Sequence, residues 1–95
     1  MIDATRMDEL RAEIGPEDLA MILDVYLAEA AEMLANLSDG ALSADDRGKA
    51  LHFLRSGALN LGLRGLARAA DGPDVDLNVL SQTFEATRRV VAEKV

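Results

Sequence analysis

Apolar residues recur every three to four positions through most of the chain, and short polar breaks divide the pattern into five stretches. This spacing is typical of amphipathic helices, and no run alternates with the period of two that marks a strand. The predicted elements are a short first helix to about Ile14, a second from Pro16 to about Leu37, a third after Ser43 that loosens near Gly62 or Gly65, a short fourth over 63–70, and a last from about Asp76 to Lys94.

Residues that favour helix ends support these boundaries. Asp3 or Thr5 can cap the first helix. Pro16 suits the first turn of the second helix, because its fixed φ is already helical and its missing N–H needs no partner there. Ser43 with Asp46 three residues later resembles a capping box for the third helix.

The apolar stripes also predict which side chains form the core. The expected core residues are Met7, Leu10 and Ile14, then Leu19, Met21, Ile22, Leu23, Tyr26, Leu27, Ala30, Met33, Leu34 and Leu37, then Ala50, Leu54, Ala58 and Leu61, and finally Leu77, Leu80, Phe84, Thr87 and Val91. The chain is therefore expected to be all-α. An antiparallel up-and-down four-helix bundle with a short accessory N-terminal helix, forming one domain over 1–95, suits these segments.

Charge is unevenly distributed along this acidic chain, whose net charge is −7. Residues 1–46 hold twelve acidic and two basic side chains, whereas residues 47–70 hold five basic side chains and no acid. The acidic balance and the 3% aromatic content argue against nucleic-acid binding. We expect a cytoplasmic protein, because no signal-peptide pattern and no apolar run of about 20 residues is visible.

The single histidine, His52, lies in the third helical segment and points away from its apolar stripe. At about 100° per residue, its neighbours on the helical wheel within about 60° combine two cations, small residues and leucines. They are Gly48, Lys49, Arg55, Ser56, Leu59 and Leu63. An exposed imidazole that titrates near neutrality is a nucleophile at cellular pH, and adjacent cations can neutralise phosphoryl oxygens.

Other site chemistries are disfavoured. One histidine and no cysteine make a dedicated transition-metal site unlikely on ligand grounds, so none is expected. Asp24, Glu29 and Glu32 are spaced like a solvated helix face. Ser56 beside His52 lacks the acidic orienter and the oxyanion-stabilising group that a Ser–His nucleophile requires.

The run from His52 to Gly62 resembles the signature of histidine-containing phosphotransfer (HPt) domains. In that family His, any residue, Leu, Lys, Gly and two small residues lead to Asn, an aliphatic residue and Gly. The matching positions are His52, Leu54, Ala58, Asn60, Leu61 and Gly62, and Arg55 replaces the lysine conservatively. Ser56 departs from the pattern, since the family usually has glycine there and the glycine of this chain follows one residue later. The segment from Ile14 to Leu19 and the long helix after it are also similar to the family.

The resemblance implies a role in two-component signal transduction. His52 would be the phosphoacceptor of a phosphorelay, exchanging a phosphoryl group with aspartates of response-regulator receiver domains. Arg55, Lys49 and Ser56 would stabilise the phosphoryl oxygens, with Ser56 either narrowing access to the imidazole or donating a hydrogen bond. Leu59, Leu63 and Gly62 would form the docking rim.

The resemblance also implies what the chain does not do by itself. It would be a monomeric phosphoprotein without kinase activity, since no nucleotide-binding loop is visible. It would bind no cofactor, and Mg²⁺ would lie on the partner receiver domain; a hybrid histidine kinase is a further candidate partner. The alternative is a module of the same fold that docks on a receiver or a kinase without carrying phosphate, and a small enzyme ranks third.

Overall fold

Five α-helices make up the chain in a computed structural model that describes residues 2–40 and 42–94. They are α1 (Ala4–Ile14), α2 (Pro16–Ser38), α3 (Ala44–Asn60), α4 (Arg64–Ala69) and α5 (Leu77–Lys94). Within these residues the only β-type pairing is an isolated bridge between Ile2 and Leu63. The all-α prediction is confirmed, and the predicted helix ends agree closely, except that α3 stops at Asn60.

Side-chain caps fix where three of the helices begin. The carboxylate of Asp3 accepts the backbone N–H of the third residue of α1 at 3.1 Å, so Asp3 is the cap and Thr5 lies inside the helix. The hydroxyl of Ser43 accepts the N–H of Asp46 at 3.1 Å, as the capping-box pattern predicts. Asp76 caps α5 in the same way, which places the first helical residue one position after it.

The buried core contains most of the predicted residues and four that were not predicted to belong to it, Leu63, Leu66, Ala67 and Ala70. Its described members are Met7, Leu10, Leu19, Leu23, Tyr26, Leu27, Ala30, Leu34, Leu37, Ala50, Leu54, Ala58, Leu61, Leu63, Leu66, Ala67, Ala70, Leu80, Phe84, Thr87 and Val91. The core prediction was wrong for Met21 and Ile22, whose exposed fractions are 58% and 42%. Ile14, Met33 and Leu77 are half-buried at the edge of the core.

The helices pack around α2 and α4. Helix α2 contacts α1, α3 and α5, and α4 contacts α3 and α5. The molecule measures 39 × 20 × 20 Å. A helix of 23 residues is about 34 Å long at 1.5 Å per residue, so α2 must run along the long axis. In the part of the chain that the structure describes, no helix is both long and apolar enough to cross a membrane.

Tyr26 joins α2 to α3. Its hydroxyl donates a buried hydrogen bond of 2.6 Å to the carbonyl of Leu54, and its ring stacks on Phe53 with 5.7 Å between ring centroids. Burial raises the pKa of the Tyr26 phenol because the phenolate would lose its hydration, so the neutral hydroxyl donates this bond. The ring edge lies directly on the backbone of Gly57, where a β-carbon would overlap it.

The end of α3 is a Schellman motif. Gly62 adopts a φ of +76°, a conformation that favours glycine. The N–H of Leu63 donates to the carbonyl of Ala58 at 2.7 Å, and the N–H of Gly62 donates to the carbonyl of Leu59 at 3.3 Å. This cap turns the chain sharply, so the residues after Gly62 no longer follow the helical wheel of α3.

The N-terminal segment covers this cap. The N–H of Asp3 donates to the carbonyl of Gly62 at 2.7 Å, and Nε of Arg6 donates to the carbonyl of Asn60 at 2.9 Å. Gly62 is buried as a result, and a β-carbon there would lie 3.2 Å from the β-carbon of Arg6. The start of the chain is thus held against the end of α3.

The Tyr26 contact predicts that Gly57→Ala destabilises the protein. The added methyl would collide with a ring that the hydrogen bond to Leu54 holds in place, and such overpacking typically costs about 1–3 kcal/mol. That cost exceeds the gain of up to about 1 kcal/mol in helix propensity. Urea unfolding followed by circular dichroism measures the difference.

Gly48→Ala is the matched control. Gly48 lies on the same helix and nothing would lie within 4 Å of its β-carbon, so only the propensity gain applies and the variant should be more stable than the wild type. Equal unfolding free energies for the two variants would contradict the Tyr26 packing.

Candidate functional site

His52 lies on the exposed side of α3, as the wheel predicts. It lines an open depression of about 450 Å³ between α3 and the segment that follows α4, together with Arg47, Arg55 and Asp71. Glycines at the two sides of this depression, Gly48 and Gly72, add no side chains. The imidazole is therefore accessible to a group that enters from solvent.

Two arginines, rather than the predicted arginine and lysine, share the depression with His52. Arg55 lines it as predicted and lies 3.7 Å from the carboxylate of Asp71. Arg47, which belongs to the basic residues of 47–70 but lies outside the predicted wheel sector around His52, lines it as well. Lys49 is absent from its lining and pairs at 3.3 Å with Asp45 in the first turn of α3.

Positive charge continues from Arg55 onto α4. Arg55, Arg64 and Arg68 surround a second depression of about 240 Å³, and Asp71 is the only acid in its described lining. Neither Arg64 nor Arg68 forms an ion pair with a carboxylate of residues 2–40 or 42–94. We call the exposed area that carries Arg47, Arg55, Arg64 and Arg68 the basic face.

Ser56 is exposed on α3 but does not line the His52 depression. Its hydroxyl donates a long hydrogen bond of 3.5 Å to the carbonyl of Phe53, one turn back. It borders another surface depression with Gly57 and Leu59. The hydroxyl therefore has only a weak partner within its own helix.

The predicted docking rim is wrong in two of its three members. Leu59 is 54% exposed, as expected, but Leu63 is fully buried. The wheel extended α3 past Gly62, whereas the Schellman cap at that residue redirects the chain into the core. Gly62 itself is buried under the N-terminal segment and is inaccessible to a partner.

An apolar groove between α2 and α3 was missed by the sequence analysis. Met21, Ile22 and Val25 are exposed along α2, and they line a groove of about 420 Å³ with Phe53 and Gly57 of α3. A possible signal is the pair Met21 and Val25, which forms an additional i, i+4 stripe beside the core stripe of α2. We call this surface the α2–α3 groove.

The described part of the chain contains no cluster of side chains that could bind a metal ion. Over residues 2–40 and 42–94, no group of three or more His, Cys, Asp or Glu side chains is placed to hold an ion. The arrangement of His52 with Arg47 and Arg55 suits an anionic group that approaches the imidazole from solvent.

In comparison with known proteins, the chain matches no protein-family model, no curated protein and no solved structure.

The burial difference between the two leucines gives a stability prediction. Leu63→Ala should lower the free energy of unfolding by about 2–5 kcal/mol, because it removes a fully buried side chain from the core. Leu59→Ala should change it by less than about 0.5 kcal/mol, because that side chain is mostly in solvent. Chemical unfolding of both variants makes the comparison, and a similar loss in both would contradict the Schellman turn.

Proposed function

We propose that the protein is a histidine phosphotransfer intermediate of a phosphorelay, as its resemblance to HPt domains implies. His52 accepts a phosphoryl group from the aspartate of a response-regulator receiver domain and passes it to another. The observation that carries the proposal is the exposed His52 in a depression that Arg47 and Arg55 also line.

The transfer step needs little from the chain beyond a positioned nucleophile and positive charge. In the tautomer with its proton on Nδ1, the Nε2 lone pair of His52 forms a bond to phosphorus while the bond between phosphorus and the aspartyl oxygen breaks. The bonding electrons leave with the carboxylate, and the proton on Nδ1 stays on the ring, which then carries the positive charge. Mg²⁺ on the receiver supplies further charge neutralisation and in-line positioning.

Arg55 and Arg47 are the groups we assign to the phosphoryl oxygens. Arg55 fits because it borders His52 in the depression and its only ionic partner in the described chain is the distant, 3.7 Å contact with Asp71. A guanidinium can bind two oxygens at once, which suits a phosphoryl group. Lys49, expected to share this role, does not line the depression and pairs with Asp45, so we assign it no contact with the phosphoryl oxygens.

The α2–α3 groove and Leu59 are the surfaces we assign to receiver docking. Phe53 follows His52 directly and lines the groove, so a domain seated there comes within reach of the imidazole. Exposed apolar side chains are rarely grouped on a monomer without a binding role, and here three exposed apolar residues of α2, Met21, Ile22 and Val25, line one groove. Charge on the basic face then complements the acidic pocket of a receiver.

The bundle arrangement is part of the same proposal. At 1.5 Å per residue, α3 and α5 are about 26 and 27 Å long, which exceeds the 20 Å width of the molecule. These lengths support an arrangement in which α2, α3 and α5 run mainly along one axis. We propose that α2, α3, α4 and α5 form the antiparallel four-helix bundle, with α4 much the shortest member and α1 as the accessory helix.

His52→Gln is the direct test of the acceptor. The variant should take up no phosphoryl group from a panel of phosphorylated receiver domains, while the wild type acquires an acid-labile, base-stable label. Its melting temperature should stay close to that of the wild type, because the side chain is exposed and surface changes usually alter stability by less than about 0.5 kcal/mol.

The outcomes separate the two candidate functions. Label that persists in His52→Gln would remove the histidine from the mechanism. If the wild type accepts no phosphate from any receiver, yet a receiver binds and Val25→Asp in the α2–α3 groove abolishes that binding, the chain is a docking module instead.

The two cations flanking His52 in the sequence should behave differently. Arg55→Ala should slow transfer from a phosphorylated receiver by about 10-fold or more, because charge on the phosphoryl oxygens is stabilised mainly in the transition state. Lys49→Ala should slow it less than about twofold, since Lys49 does not line the depression that His52 lines. Rapid-quench kinetics measure the transfer rate of each variant. Arg55→Lys, which keeps the positive charge, should recover most of the wild-type rate. Equal rates for the two alanine variants would refute the assignment of Arg55 to the phosphoryl oxygens.

A further inference from the structure

Asp71 is placed where it can oppose an anion at the candidate site. It follows α4, and its backbone N–H donates to the carbonyl of Arg68 at 3.2 Å. Its carboxylate lies 3.7 Å from Nη1 of Arg55. It is the only acid in the described lining of the His52 depression and also of the depression between Arg55 and α4.

The ion pair between Arg55 and Asp71 is weak. A charge-assisted hydrogen bond between a guanidinium and a carboxylate is about 2.7–2.9 Å long, so a separation of 3.7 Å is a loose contact. Both side chains are substantially exposed, and exposed pairs of this kind contribute only about 0.2–1 kcal/mol. A doubly charged phosphoryl group can therefore displace the single negative charge of Asp71.

We propose that Asp71 is a positioning residue that competes with the phosphoryl group for Arg55. Without an anion, Asp71 holds the guanidinium at the rim of the depression that His52 lines. When a phosphoryl group enters, Arg55 turns from the carboxylate to the phosphoryl oxygens. This inference rests on the proposed function for its biological meaning, but the competition itself concerns only the binding of an anion.

Inorganic phosphate is the probe that tests the competition without any transfer reaction. Titration into the unphosphorylated protein at constant ionic strength, followed by the NMR signals of Arg55 Nε–H and the α3 backbone, gives its dissociation constant. Asp71→Asn should lower this constant about two- to fivefold, the range that a weak exposed ion pair allows. Asp71→Glu, which keeps the charge, should stay close to the wild type.

Asp74→Asn is the matched control, because it removes the same charge from the same exposed segment and Asp74 lines neither depression. It should leave the dissociation constant within a factor of about 1.5. In an Arg55→Ala background, Asp71→Asn should lose its effect, since the group for which the carboxylate competes is gone.

Three results would overturn the proposal: no detectable phosphate binding in any variant, an unchanged constant in Asp71→Asn, or an effect of Asp71→Asn that is equal with and without Arg55. The last would mean that Asp71 acts only through overall charge. If phosphate binds as described but no receiver ever phosphorylates His52, the competition stands and the phosphorelay function fails, so the two ideas are separable.

Discussion

The contact of Tyr26 with α3 is the constraint on which the candidate site depends. The hydroxyl is tied to the carbonyl of Leu54, and the ring occupies the space that a side chain at Gly57 would fill. These two contacts, one turn apart, prevent α3 from rotating or sliding against α2. Because His52 projects from the opposite side of the same turns, its exposure follows from how Tyr26 packs.

The run that resembles the HPt signature divides into two physical roles. Leu54, Ala58 and Leu61 are buried, and Gly62 ends the helix with a positive φ. These positions serve packing and capping, which any helix at this place in the fold would need. The chemistry that the resemblance implies depends on far fewer side chains, chiefly His52 with a guanidinium beside it.

Local signals in the sequence were enough to place the helices and the exposed histidine. Asp3, Ser43 and the Gly15-Pro16 break act within a few residues of themselves, so the boundaries could be read from them. Leu63 was predicted to be exposed because a helical wheel assumes that α3 continues past Gly62, where the chain in fact turns. Met21 was misplaced since an apolar stripe has the same period whether another helix covers it or not.

Asp71 belongs to a different class, because its position beside Arg55 and His52 arises only when α4 folds back on α3. No spacing rule connects position 71 with position 55. The sequence shows that residues 47–70 hold basic side chains and no acid. It does not show which carboxylate from outside that segment lies beside them in the fold.

The basic face has a consequence for how an acidic protein would meet this one. At long range, the net charge of −7 repels an acidic partner. Salt screens this repulsion over a Debye length of about 8 Å at physiological ionic strength. Closer in, the basic face attracts the partner, since Asp71 is the only acid in the described lining of the depression between Arg55, Arg64 and Arg68. Such an encounter would therefore depend on orientation before any apolar contact forms. The acidic α1–α2 side would repel an acidic partner, and the basic face would attract it.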